Sequence, residues 1–187
     1  MVKKKLIACE IFTDELSAVL PEEYRDIDIN WIDAGLHSDI NKLEITLEQA
    51  LKDSAAQGED ARVLFGEACN PDMCQMINNH DAKMLGAKNC VQAFYQENIQ
   101  ELEKNRTMVI TPGWIRFFPK IMAQRGSDEV DVRHDFGRYD RILVLDTGIN
   151  PLSDEEILEF YDLTQVPIEI QQLDLDYFRT KVIELLQ

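Results

Sequence analysis

Basic residues are scarce in this chain of 187: 19 lysines and arginines stand against 35 aspartates and glutamates, for a formal charge of −16. That balance opposes a phosphate backbone, and no arginine-rich stripe offsets it locally, so nucleic acid is not an expected partner. Long apolar runs are missing too. The basic start Lys3 to Lys5 leads into a short apolar run that meets Cys9 and Glu10, unlike a signal peptide, and no later stretch is long or apolar enough to span a bilayer. The expected compartment is therefore the cytoplasm, where the four cysteines are more naturally thiols or metal ligands than disulfides. There is no glycine-rich dinucleotide loop, no P-loop and no nucleophile-elbow serine, which disfavours nucleotide-dependent and serine-hydrolase chemistry. No short ligand run of the zinc-finger kind occurs, and no internal repeat or low-complexity tract.

What is present describes an ordinary globular protein. Hydrophobic residues make up 45% and charged residues 29%, enough to bury a sizeable core, and the length fits one domain over residues 1–187. Apolar runs bounded by turn residues alternate with longer amphipathic stretches. Lys5 to Ile11, Ile27 to Asp33, Val63 to Gly66, Met84 to Gly86, Met108 to Thr111 and Ile142 to Leu145 read as short strands buried on both faces, as parallel strands are. Between them, Asp39 caps a helix over Ile40 to Ala56, Asn89 caps one over Cys90 to Lys104, and Ser153 with Glu156 forms a capping box for Glu155 to Leu163. Ile168 to Gln187 supplies one more strand and a closing helix from Leu175. Arg125 to Arg138, charged and holding Gly126 and Gly137, reads as an irregular insertion or flap. The alternation predicts a Rossmann-like, doubly wound α/β fold, with a mostly parallel sheet of about six strands and helices on both faces.

That fold turns a scattered set of residues into a candidate site. Cys9, His37, Cys69 and Cys90, separated by 28, 32 and 21 residues, each sit just past a predicted strand, and a parallel sheet places all such loops along one edge. Three soft thiolates and an imidazole suit zinc, with iron or cobalt accepted by the same donors. Taken singly, each has a plainer reading: a free cysteine is a small buried hydrophobe, and a loop histidine often only caps or solvates. Cys90, read as a helix start beside Lys88, is the thiol expected to ionise most readily. Thr111, Gly113 and Trp114 fall on the same edge, where the glycine permits close backbone approach and the indole offers a flat wall to a small-molecule ligand, or equally plugs the core. Asp146 can orient a neighbouring group or cap its own turn, and Glu10 is a candidate base that strand alternation points away from Cys9. His80-Asp81 reads as surface. Cys69 and Cys74, five residues apart, allow a thiol redox reading.

Ile7-Ala8-Cys9-Glu10, Asp33-Ala34-Gly35-Leu36-His37, Gly66-Glu67-Ala68-Cys69, Asn89-Cys90-Val91, Thr111-Pro112-Gly113-Trp114, Asp140-Arg141-Ile142-Leu143 and Asp146-Thr147-Gly148 occur here in the order and approximate spacing of domain of unknown function 1638. The chain resembles that family from Lys5 to about Gly148. Members often lie in gene neighbourhoods with corrinoid-dependent methyltransferases of anaerobic microbes, so the resemblance implies a one-carbon context, with a methyltransferase or corrinoid protein as partner and a corrinoid contact. The alternative from a different class is a non-catalytic accessory or small-ligand-binding protein for such a methyltransferase system, its pocket lying around Trp114 and the thiols. The chain departs from the family's glycine-rich run at Cys69-Asn70-Pro71-Asp72 and from its His-Asp-Cys triplet at Lys88-Asn89-Cys90. Keeping the four candidate ligands while losing that histidine and aspartate favours ligation over a proton relay.

Overall fold

The computed structural model describes residues 2–96 and 99–187, and within them the strands form two parallel sheets rather than one. The first holds β1 (Lys4–Cys9), β2 (Asp28–Ile32), β3 (Asp60–Leu64) and β4 (Lys83–Met84) in the order β2-β1-β3-β4. The second holds β5 (Thr107–Ile110), β6 (Arg141–Asp146) and β7 (Ile168–Gln172) in sequential order. All seven strands are parallel to their neighbours, so α/β is the class, but the expected single sheet of about six is replaced by sheets of four and three. Two sheets arise because β4, only two residues long, ends the first sheet, and the strand that follows pairs with β6 instead.

Helices α1 (Thr13–Val19), α2 (Ile40–Ala56), α3 (Met73–Asn79), α4 (Ile99–Leu102), α5 (Pro112–Arg125), α6 (Glu129–Phe136), α7 (Asp154–Thr164) and α8 (Asp176–Leu186) cover these sheets. Asp39 caps α2 through the Lys42 N–H, and Ser153 with Glu156 closes the capping box of α7, both as the sequence indicates. Two readings change. The stretch expected to be irregular carries α6, started by an Asp128/Asp131 capping box and anchored by buried Val132 and Phe136. The helix expected over Cys90 to Lys104, part of which lies outside the described residues, is a turn at residues 90–94 followed by the single turn α4. Asn89 still accepts a capping bond from the Gln92 N–H at 2.9 Å, yet no continuous helix follows in the described residues.

Leu6, Ile7 and Ala8 of β1 have no exposed surface, the burial expected of a central parallel strand. A ring cluster seals this core: the centroids of Phe12 and Phe94, Phe12 and Phe178, and Phe94 and Phe178 lie 5.6, 5.6 and 4.5 Å apart. Each such side chain removed from water contributes about 1.5–3 kcal/mol. The second sheet alternates cleanly. Ile142 and Val144 pack under α5, α6 and α7, while Leu143 and Leu145 face Val91 and Ile99.

The carboxyl edge of the first sheet meets the start of α5. A Cβ at Gly113 would stand 2.7 Å from the Ile11 carbonyl oxygen, so only glycine fits there. Lys120, two turns along the same helix, donates to Glu10 Oε2 at 2.9 Å and lies 3.0 Å from Asp33 Oδ1, and Gln124 donates to Asp33 Oδ2 at 3.1 Å. On the other side Glu15 of α1, 4% exposed, accepts from Thr147 Oγ1 at 3.3 Å across the junction. Among the described residues no helix is long and apolar enough to cross a membrane.

A Cβ at Gly66 would meet the Asn89 Cα at 2.4 Å and the Lys88 carbonyl at 2.6 Å, whereas one at Gly86 meets nothing within 4 Å. Urea unfolding should therefore show Gly66→Ala destabilised by about 1–3 kcal/mol and Gly86→Ala within about 0.5 kcal/mol of the parent. Burial holds the Glu15 pKa above its unfolded value, so its contribution to stability is fully present below the ordinary carboxylate range and is lost as pH rises through the folded value. Glu15→Gln should raise the urea midpoint at neutral pH, and the gain should shrink on acidification. An equal gain at both pH values would show that burial does not raise the carboxyl's pKa.

Candidate functional site

In the first sheet the chain leaves β1 toward β2 on one side, while β3 and β4 lie on the other. The crevice outside the carboxyl ends of β1 and β3 is where such an arrangement binds ligands. Cys9 is the last residue of β1, buried at 2% exposure, and its register partner is Ile32. Cys69 ends the short 3-10 turn Glu67–Cys69 after β3, and Cys90 lies in the turn after β4. The loops carrying the last two abut, because Gly66 lets the Lys88-Asn89 backbone pass within contact distance. Buried Asn70 ties this region to the start of α2 through the Ile40 carbonyl, 3.4 Å away, and accepts from the Asp72 N–H at 2.8 Å.

These three thiols feel one another. Burial pushes the Cys9 thiol far above its ordinary value, and Cys90 and then Cys69 raise it further, against a hydrogen bond from the Ile11 backbone. Burial likewise drives Cys90 up to about 12, with Cys69 adding to it. Cys69 shifts in the same direction, again through burial. All three therefore carry their protons at neutral pH. The expectation that Cys90 is the readiest thiolate is corrected here: no continuous helix starts at it among the described residues, Lys88 is exposed and exerts no resolved effect, and desolvation dominates.

His37 belongs to different surroundings. It lies in the 3-10 turn Ala34–Ser38, held by the Asp33 side chain, which accepts from the Gly35 N–H at 2.7 Å. Its ring stacks on Phe65 at 6.5 Å, and Nδ1 bonds the Ala34 carbonyl at 2.9 Å. Burial lowers its pKa, so the ring is neutral. No thiol figures among the groups that shift it. Among the described residues, no three of His, Cys, Asp or Glu are already arranged to hold a metal ion.

The remaining candidates are dispersed. Glu10 is engaged by the Ala34 N–H at 3.1 Å and by Lys120, so it holds the junction instead of serving as a free base. Asp146, 3% exposed, accepts from the Gly148 N–H at 2.8 Å and from Gln172 at 3.1 Å, which is the turn-capping role. Thr111, 1% exposed, has a hydroxyl without a hydrogen-bond partner among the described residues. Gly113 is the close-approach position, and Trp114 stacks on Phe118 at 5.0 Å while lining a cavity with His37. Cys74 is exposed on α3 and has no part in the shifts of the other thiols. His80 faces Glu48 at 3.3 Å near the surface. Sequence reasoning missed Glu15, although Phe12, Leu16 and Val19 share its side of α1 by helical spacing and could have marked it as buried. Lys120 carries no such signal.

The family model described as protein of unknown function DUF1638 matches residues 31–182, a span that includes His37, Cys69 and Cys90 and leaves Cys9 outside. No curated protein matches the chain in sequence. Among solved structures, that of unliganded arylmalonate decarboxylase is similar, with a TM-score of 0.38 and 11% identity, over 100% of this chain and 91% of that one. By the extent of the family match, the chain belongs to the DUF1638 family.

Proposed function

We propose that the chain binds a thiophilic divalent metal, zinc foremost, through Cys9, Cys69 and Cys90. The observation that supports this reading is geometric: Cys9 ends β1, Cys69 follows β3, and the loop that carries Cys90 abuts the Cys69 loop at Gly66, with all three thiols held in their neutral form by burial. A soft cation is the partner that makes deprotonation of such a group favourable, since sulfur ligates as thiolate. The described conformation is not a ready-made cage, so binding requires the sulfurs to draw together. His37 stands outside this set, which leaves three protein ligands and a fourth position. A thiol or methyl-carrier ligand in that position is the chemistry implied by the corrinoid and methyltransferase setting of the family.

Because all three thiols are protonated at neutral pH, each ligand formed releases one proton, and affinity must fall as pH falls. Titration with cobalt(II) should give a thiolate charge-transfer band, and the apparent affinity should weaken by about tenfold per pH unit for each proton displaced. Cys9→Ser, Cys69→Ser and Cys90→Ser should each abolish the band while Cys74→Ser keeps it. Metal content below about a tenth of an equivalent, in protein purified anaerobically without a metal-affinity tag, would sink the reading.

A further inference from the structure

The cavity that Trp114 and His37 line, of about 370 Å³, lies between the turn that carries His37 and helices α5 and α6. Its volume falls in the range of small-molecule sites. Aromatic rings make its walls: Trp114 stacks on Phe118 at 5.0 Å, Phe118 meets Phe136 edge-on at 5.5 Å, and Phe136 meets Tyr139 at 6.2 Å. Flat apolar walls of this kind accept a planar ring by offset or edge contact.

The polar groups on this lining are few and complementary. Arg125 is neutralised by Asp135, whose carboxylate lies 2.6 Å from its guanidinium. Arg138 lies over the Tyr139 ring at 4.9 Å, and no carboxylate pairs with it among the described residues. The lining therefore carries one excess positive charge, although the chain as a whole is strongly acidic. His37 adds an acceptor. The Ala34 carbonyl can only accept, so a neutral ring places its proton on Nδ1, and the Nε2 lone pair has no donor among the described residues.

We propose that this cavity is a binding site for a planar aromatic carboxylate that also carries a hydroxyl or ring N–H, with Arg138 taking the carboxylate, His37 Nε2 accepting from the donor, and Trp114, Phe118 and Tyr139 holding the ring. A guanidinium matches a carboxylate with paired N–H donors, and the tyrosine face beneath Arg138 keeps the fork oriented. The site does not depend on the thiol group, so it stands or falls apart from the metal reading.

Calorimetric titration of the metal-free protein with 4-hydroxybenzoate and with indole-3-carboxylate tests it. At least one should bind saturably at one equivalent. Arg138→Ala, a change at an exposed side chain, should weaken that probe by about tenfold or more, the loss expected for a charge-assisted hydrogen bond. His37→Leu should remove the advantage of 4-hydroxybenzoate over benzoate, with circular dichroism confirming that each variant is folded. No saturable binding of either probe to the folded parent would overturn the proposal. So would parental affinity in Arg138→Ala, or phenol binding as tightly as 4-hydroxybenzoate.

Discussion

The close approach of Gly113 to the Ile11 carbonyl is the contact on which the arrangement of the two sheets depends. A side chain there would push α5 off the loop that follows β1, and everything the helix presents on that face would move with it. Phe117, Lys120 and Gln124 follow Gly113 by four, seven and eleven residues, which are positions of one helical face. Phe117 packs against the first core, while Lys120 and Gln124 reach Glu10 and Asp33. The ion pairs are half-exposed and each contributes little, about 0–1 kcal/mol. Their role is to fix orientation once backbone packing has set the distance.

Two chemically distinct regions result from that orientation. The thiol region is desolvated and lies where loops from β1, β3 and β4 meet, and burial rather than charge decides its protonation. The aromatic cavity takes its single unbalanced cation from the segment after α6 and its acceptor from the turn after β2. His37 is drawn to the second region by its own backbone bond to Ala34, although its position along the sheet edge resembles that of the cysteines. Shared topology brings residues to one edge, but local turn geometry decides which way each faces.

Much of the fold is legible in the residues themselves. Leu6, Ile7 and Ala8, or Ile142 to Leu145, cannot be satisfied anywhere but in a covered strand, and Asp39 and Ser153 announce their helices by cap chemistry. The split into two sheets is not legible, because the apolar run at Met84 looks like any other strand and nothing local states that it stops after two residues. Helix α6 hides among charges because only Val132 and Phe136 are buried. That Cys9, Cys69 and Cys90 lie at or just past strand ends of one sheet is legible from their order in the chain, whereas their charge state depends on depth, which a sequence does not display. Arg138 reads as part of a loop, and its lack of a carboxylate partner among the described residues depends on Asp135 having chosen Arg125.

The ring cluster of Phe12, Phe94 and Phe178 has a consequence for the order in which the chain can fold. The first sheet is complete in strands once β4 has been made, yet its core is closed by a residue almost a hundred positions later. While the ribosome produces the second sheet, Phe12 and Phe94 lack their third partner, and the nascent first half carries an open apolar seam. The two sheets are thus not independent folding units joined in series. The last helix returns to the beginning of the chain, and the first sheet matures only after synthesis of the second has ended.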